Sequence, residues 1–410
     1  MSIKVRGPRI PLFQGLWAIF FLLGMAPGFW ASALTNILTA KHLDEWVTLA
    51  FLVGPVAAII SPLIVGAVAD QRMRAERLLG WISIGGSGVL FAAFWTLEHD
   101  WNPWWFIGLL ALNSLIAAPM WGLCTTVALV HLDKPEKTFP LARLGGTFGW
   151  MAAGLITSHL LHADRSATAG YASVVPRVLL GLLAFTLPAT HPTSTGRSWI
   201  SLLGIDAFAL LKERDHFVFF LVTGLISIPL AAFYMFVPRH LEALGDLQAS
   251  GTMTLAQWPE VLAMLTIGAV MSRWRIKTVL MWSLVIHVIR FAFFTLAGAT
   301  HERFWLLPGV VLHGFGYTFY FITAQIFLDR RVPVTMRGQA QGLLTLVSGG
   351  LGSSLGILFV GYLHDLTVTH DVGGWTVFWA VLTAILMVSV VLFTLYYKGQ
   401  PEEVKAPKVL

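Results

Sequence analysis

Six stretches of the chain carry polar side chains where the neighbouring sequence is almost wholly apolar. Arg143, Thr147 and Trp150 follow one another at spacings of four and three, which puts all three on one face of a helix. Gln257 and Glu260 share a face at i, i+3, with Pro259 between them. Proline removes a backbone donor, so a kink or a locally opened helix is expected there. His287 and Arg290, then His313 and Tyr317 with Thr318 and Tyr320 close behind, form two more groups. Tyr234 beside Phe233, and Asn113, complete the set.

Glu260 is the one carboxylate deep inside an apolar run, and Arg143 is the clearest deep cation of the first half. Burial disfavours the charged carboxylate and a nearby guanidinium favours it. A carboxyl group balanced between the two takes up and releases a proton as its partner or its solvent access changes. The competing reading is a permanent structural ion pair. Thr147 and Gln257 add hydrogen-bonding capacity, and Trp150, Tyr234 and Tyr317 add ring faces suited to a polar, ring-shaped ligand. His313 fits a ligand contact and a helix–helix contact equally well. Arg290 reads as structural, paired internally. Metal chemistry is not expected: there is one cysteine, Cys124, and no run holds a His/Glu cluster at ligand spacing. Nor is a cofactor.

The elements that must position these groups are membrane helices. Of 410 residues, 56% are hydrophobic and 12% charged, and the mean hydropathy is +0.74. Soluble domains carry about 25% charged residues, so a soluble globular protein is excluded, as are disorder and a disulfide scaffold. A crossing helix needs roughly 20 apolar residues. Twelve such runs are expected, at 10–36, 46–69, 77–97, 104–130, 139–161, 169–189, 215–239, 250–271, 277–298, 304–328, 336–363 and 373–397. They are twice the length of barrel strands and lack alternation. The fold class is therefore an all-α membrane protein of twelve transmembrane helices.

Charge sets the orientation. Twenty of the 27 Lys and Arg residues fall in the terminal segments and alternate loops of one face, four on the other, and three in or near spans. By the positive-inside rule both termini are cytoplasmic. The net charge of +6 is explained by this bias, and no nucleic-acid partner is expected. The first apolar run is too long for the core of a signal peptide and is expected to remain as a span.

Two echoes point to an internal duplication. Gly66-Ala67-Val68 before Asp70-Gln71-Arg72 is matched by Gly268-Ala269-Val270 before Ser272-Arg273, and Leu132-Asp133 is matched by Leu328-Asp329. Both offsets are close to half the chain. They define two six-helix halves, 1–189 and 215–398, with a linker at 190–214 and a tail at 399–410. Within the linker, Trp199, Leu202, Leu203, Phe208 and Leu211 fit an amphipathic surface stretch or a packed helix. A six-plus-six plan is a transporter architecture with substrate near the midplane. A membrane enzyme or sensor is disfavoured: there is no HExxH and no long segment outside the spans.

The plan and the GAVADQR segment (66–72) resemble the major facilitator superfamily. Within it the chain resembles the nucleoside–proton symporter family, on FPLARLGGTFGW (139–150), SWISLLGIDAFALL (198–211), QWPE (257–260), SRWRIKTVLMWSLVIHVIRFAFF (272–294) and MRGQAQGL (336–343). The resemblance implies proton-coupled nucleoside uptake by alternating access, across the bacterial cytoplasmic (inner) membrane, by a lipid-embedded monomer. It implies that Arg143, Thr147, Gln257 and Glu260 belong to the nucleoside site, with Trp150, His313 and Tyr317 at aromatic positions and Tyr234 at a span-7 amide position. Glu260 is then the proton-coupling residue. Asp70, Arg72, Arg273 and Arg337 become gating contacts. The chain departs from the family pattern at Ala231 and Tyr234, where amides are usual, and at Thr318, where an aspartate is. These departures keep a second reading open: the same carrier with a sugar, a modified nucleoside, a cell-wall fragment or an exported metabolite as substrate.

Overall fold

The computed structural model describes residues 11–71, 73–133, 135–191, 205–333 and 336–399. The described residues are helical throughout, and twelve helical segments follow one another. In the first half these are α1 (Leu12–Ala40), α2 (Val47–Gln71), α3 (Ala75–Glu98), α4 (Pro103–His131), α5 (Pro135–Leu155, continued by one wide turn to Leu160) and α6 (Thr168–Ala184). In the second half they are α7 (Arg214–Ala243), α8 (Ala249–Arg273), α9 (Ile276–Thr300), α10 (Arg303–Arg331), α11 (Arg337–Thr369) and α12 (Gly374–Tyr396). Among the described residues nine of these are long and apolar enough to cross a membrane, and α6 is a shorter apolar helix.

The helices are interrupted where the sequence removes backbone donors or adds a residue to a turn. In α1 the chain breaks into Leu12–Trp30 and Leu34–Ala40 just after Pro27. In α4 it breaks at Ala118-Pro119. Asn102 caps α4 by accepting from the Trp104 amide at 3.1 Å, and Pro103 takes the first helical position, where no donor is needed. The wide i→i+5 turns fall at Ile156–Leu160 in α5 and at Leu346–Gly352 and Asp365–Thr369 in α11. The first and last of these lie at the ends of the fifth and eleventh helices.

Large apolar side chains such as Leu262, Leu265, Val391 and Leu395 are exposed along the spans, as a lipid-facing surface requires. Exposed tryptophans gather near the helix ends: Trp101, Trp104 and Trp105 at one face, Trp81, Trp274 and Trp282 at the other. This is the interfacial belt that amphipathic rings form. The interior of the second half is aromatic, with Trp379, Phe291, Phe294, Phe233 and Tyr320 fully buried. Helices α1 and α5 meet through glycines. A Cβ on Gly145 would lie 2.5 Å from the Trp17 carbonyl oxygen, so the close approach needs a residue without a side chain.

Most packing is within a half, as for α1 with α5 and α9 with α10 and α12. The halves meet through α2 with α11, the end of α1 with α7, and α5 with α8. Among the described residues, and apart from one at the site below, hydrogen bonds between them lie toward the face that carries few basic residues. Thr35 Oγ1 donates to the Met235 carbonyl at 2.6 Å and Asn36 Nδ2 to the Pro238 carbonyl at 3.2 Å. The Ser250 amide donates to Asp164 Oδ1 and the Gly251 amide to Ser158 Oγ, each at 2.7 Å. Arg165 and Glu242 add an ion pair at 3.1 Å.

Of the linker, residues 192–204 lie outside the described residues, Trp199, Leu202 and Leu203 among them. The described remainder, Ile205–Lys212, is a tight helical turn packed against α7 and α11, with Phe208 exposed and Leu211 half-buried.

Candidate functional site

The site forms where α5 meets α8, α7 and α10. Helix α8 is not continuous here. Ala249–Met253 is followed by a tight turn at Thr254–Ala256, and the helix restarts at Gln257. Pro259 therefore sits in the first turn of the restarted helix, where its missing donor costs nothing. The opening expected near Pro259 is present, one turn earlier. With its side-chain amide oriented so that the nitrogen faces them, Gln257 donates to the carbonyls of Met253 and Thr254 at 3.1 Å each, and its main-chain N–H also donates to the Thr254 carbonyl.

Gly314 on α10 decides how closely this break approaches. A Cβ there would run into the Ala256 carbonyl oxygen and the Glu260 amide. Its lack of a side chain lets α10 lie directly against the restart, and brings His313 and Tyr317 beside Glu260.

Across the halves, Thr147 Oγ1 on α5 donates to Glu260 Oε1 on α8 at 3.2 Å. Arg143, one turn before Thr147, has an exposed side chain whose charge acts on both Glu260 and Tyr317. No ion pair within 4.0 Å joins it to Glu260 among the described residues, so the permanent pair weighed above is not what ties the halves here. Trp150 is half-buried on the same face of α5. Thus α5 supplies a cation, a hydroxyl and a ring, and α8 supplies the carboxylate they approach.

The second half adds a polar string. Arg290 Nη1 on α9 lies 2.6 Å from His313 Nδ1 on α10, and His313 Nε2 lies 3.2 Å from the Tyr234 hydroxyl on α7. Phe233 stacks on the His313 ring at 4.1 Å with the planes 10° apart, and the Tyr317 ring lies 5.5 Å from it with the planes 22° apart. Tyr234 is close enough to Glu260 for the carboxylate's charge to act on it. His313 and Arg290 are buried, whereas Tyr234, Glu260 and Tyr317 are half-buried. Arg143, Thr147, Tyr234, Glu260, His313 and Tyr317 therefore converge, with Gln257 and Trp150 on the same helices beside them.

Of the four gating candidates, Arg273 and Arg337 have described side chains. Arg273 is exposed in the last turn of α8. Arg337 starts α11 and reaches Asp329 at 3.3 Å, within the second half. The backbone of Asp70 ends α2, and Arg72 lies outside the described residues. Among the departures from the family pattern, Ala231 and Thr318 are buried, and the Thr318 hydroxyl has no hydrogen-bond partner among the described residues. No group of three or more His, Cys, Asp or Glu residues able to hold a metal occurs among the described residues.

Sequence reasoning missed Phe233 as the ring that holds His313, and Gly314 as the close-approach residue. It also underread Arg290, whose internal partner is His313 of the site itself. The residue types gave a faint signal: a glycine directly after an intramembrane histidine, and a second arginine inside a span.

Apolar helices long enough to cross a membrane, with polar groups gathered where the fifth meets the eighth, are the arrangement of a membrane carrier. The nucleoside H+ symporter family model matches residues 15–402, and the chain belongs to that family: it is a multi-pass membrane transporter and not an enzyme. The Escherichia coli (strain K12) protein YegT is 35% identical over 376 residues, covering 86% of each chain. The xanthosine permease of the same organism is 29% identical over 370 residues, covering 85% of this chain and 87% of its own. A crystal structure of the nucleoside transporter NupG, in a point-mutant form, superposes with a TM-score of 0.85 at 25% identity, over 95% of this chain and all of that one. A D-xylose–proton symporter shares the fold, with a TM-score of 0.73 at 11% identity.

Proposed function

We propose that the chain imports nucleosides with protons across a bacterial cytoplasmic membrane, binding them between Arg143, Thr147 and Trp150 of the first half and Tyr234, Gln257, Glu260, His313 and Tyr317 of the second. The single observation that carries this reading is the Thr147–Glu260 hydrogen bond, 3.2 Å across the interface of the halves. An intramembrane carboxylate at the moving interface of a carrier is placed to exchange a proton when the interface opens. Rings and hydrogen-bonding groups of both signs around it suit a base and a ribose. Membership of the nucleoside H+ symporter family supports the same substrates.

The hydrogen bonds on the sparsely charged face close that side. With both termini cytoplasmic, this conformation is sealed toward the outside. Asp70, Arg72, Arg273 and Arg337 are then cytoplasmic-side groups of the gating cycle, with Arg337 bonded to Asp329 in this state. The halves 1–189 and 215–398 rock about the site with 190–214 as their connection and 399–410 as a cytoplasmic tail. One lipid-embedded chain holds every group the site needs, so the monomer is the working unit.

Ala231, Tyr234 and Thr318 favour a second reading, in which the carrier takes a different polar substrate. A site rebuilt at hydrogen-bonding positions changes selectivity sharply. Uptake of labelled uridine and adenosine into proteoliposomes, with and without an inward proton gradient, tests the first reading. Accumulation that depends on the gradient supports it, and absence of uptake by folded protein overturns it in favour of the second.

A further inference from the structure

Arg290 is fully buried and among the described residues has no carboxylate in ion-pair contact. Its guanidinium lies over the Phe233 ring at 4.5 Å and the Phe291 ring at 4.9 Å, and Nη1 touches His313 Nδ1 at 2.6 Å. Ring faces stabilise the cation without offering a strong acceptor. The histidine nitrogen is the acceptor it uses.

That contact has one polarity. A guanidinium has only donors, so His313 Nδ1 accepts and carries no hydrogen. An imidazolium would place an N–H against an N–H, beside a buried cation, and is excluded. A neutral imidazole then bears its hydrogen on Nε2. Nε2 lies 3.2 Å from the Tyr234 oxygen, so Nε2–H donates and Tyr234 accepts. The Tyr234 hydrogen must point away from His313, and no acceptor takes it among the described residues.

We propose that Arg290 is a positioning residue that, through the Nε2–H tautomer of His313, fixes Tyr234 as a hydrogen-bond donor to substrate and so selects an acceptor atom there, such as a carbonyl oxygen of a nucleobase. This rests on the reading of the cluster as the nucleoside site. It assigns a sense to the tyrosine that replaces a span-7 amide: an amide donates and accepts through separate atoms, whereas Tyr234 held this way has its oxygen already engaged by His313 and its hydrogen left to donate.

The test combines binding and spectroscopy on the full chain in nanodiscs. Uridine affinity is measured for the wild type, Tyr234→Phe, Arg290→Met and the double variant. Each single change is expected to weaken binding about three- to ten-fold, the usual net effect of one hydrogen bond. The double variant should weaken it no further, because both changes remove the same donor. Additive losses, or unchanged affinity in either single variant, overturn the proposal. Nitrogen-15 spectra of the wild type, with His313 assigned by difference against His313→Gln, should show a neutral ring protonated at Nε2. A ring protonated at Nδ1 or at both nitrogens overturns the proposal whatever binds, and this holds even if Arg290→Met does not fold. Failure of the wild type to bind uridine or adenosine refutes the nucleoside reading instead, and the spectrum still decides this one.

Discussion

Thr147 and Glu260, 113 positions apart in the chain and on opposite halves of the molecule, share a hydrogen bond of 3.2 Å in which the hydroxyl donates. A donor to a carboxylate favours its charged form. Protonation of Glu260 therefore opposes this contact, and loss of the contact favours protonation. A link between the halves is in this way coupled to a proton. Glu260→Gln is expected to abolish accumulation of uridine against a gradient while leaving counterflow exchange measurable. Full gradient-driven uptake by this variant would remove Glu260 from the coupling. Thr147→Val should retain coupling with weaker apparent affinity, about three- to ten-fold, since one hydrogen bond is lost.

Arg143 faces the site with an exposed guanidinium and no ion-pair partner at Glu260. A cation in that position is available to substrate hydroxyls and carbonyls. Arg143→Ala is expected to lose measurable nucleoside binding while the thermal midpoint stays within a few degrees of the wild type. Unchanged affinity, read by titration calorimetry, would make the residue structural.

Gly314 holds α10 against the restart of α8. A methyl group there meets the Ala256 carbonyl and the Glu260 amide, both main chain, so the backbone itself must move. Gly314→Ala should lower stability by about 1–3 kcal/mol, the usual cost of overpacking, and reduce uptake more than the stability loss alone accounts for. Gly122→Ala is the control, since its Cβ would enter open space. Equal uptake by the two variants would separate Gly314 from the geometry of the site.

Asp164 accepts from the Ser250 amide across the closed face. Asp164→Ala leaves that buried amide without its partner and weakens closure. The expected result is faster labelling, from the sparsely charged side, of a cysteine placed at Thr39. The chain's one cysteine, Cys124, is buried and does not compete for the reagent. Labelling at the wild-type rate would mean that the seal does not depend on Asp164.

Much of this arrangement was legible before any coordinates. Intramembrane charge is costly enough to stand out in an apolar run, which is why Arg143 and Glu260 were visible, and helical spacing joined Thr147 and Trp150 to Arg143. Helix boundaries shifted by a few residues: α1 runs to Ala40 rather than 36, and α6 ends at Ala184 rather than 189. What stayed hidden were contacts between helices distant in sequence. Nothing periodic reveals that Phe233 lies flat on His313, or that Gly314 faces the break in α8 rather than lipid. Arg290 was read as internally paired, which is correct, but its partner is the histidine of the site and not a carboxylate. The gating candidates come from the family resemblance, which does not fix which charges meet. Arg337 bonds Asp329, a residue of its own half.

The four hydrogen bonds of the closed face share an asymmetry. In each, the first half contributes a side chain, from Thr35, Asn36, Ser158 or Asp164, and the second half contributes only main chain, at Met235, Pro238, Gly251 or Ser250. Main-chain groups survive most substitutions. Apart from Glu242, whose side chain meets Arg165, the second-half segments that form the door therefore carry little sequence memory of it, and they run directly into the parts of α7 and α8 that hold Tyr234, Gln257 and Glu260. Descendants of this carrier are free to remodel what they admit in that half without having to reinvent how they shut.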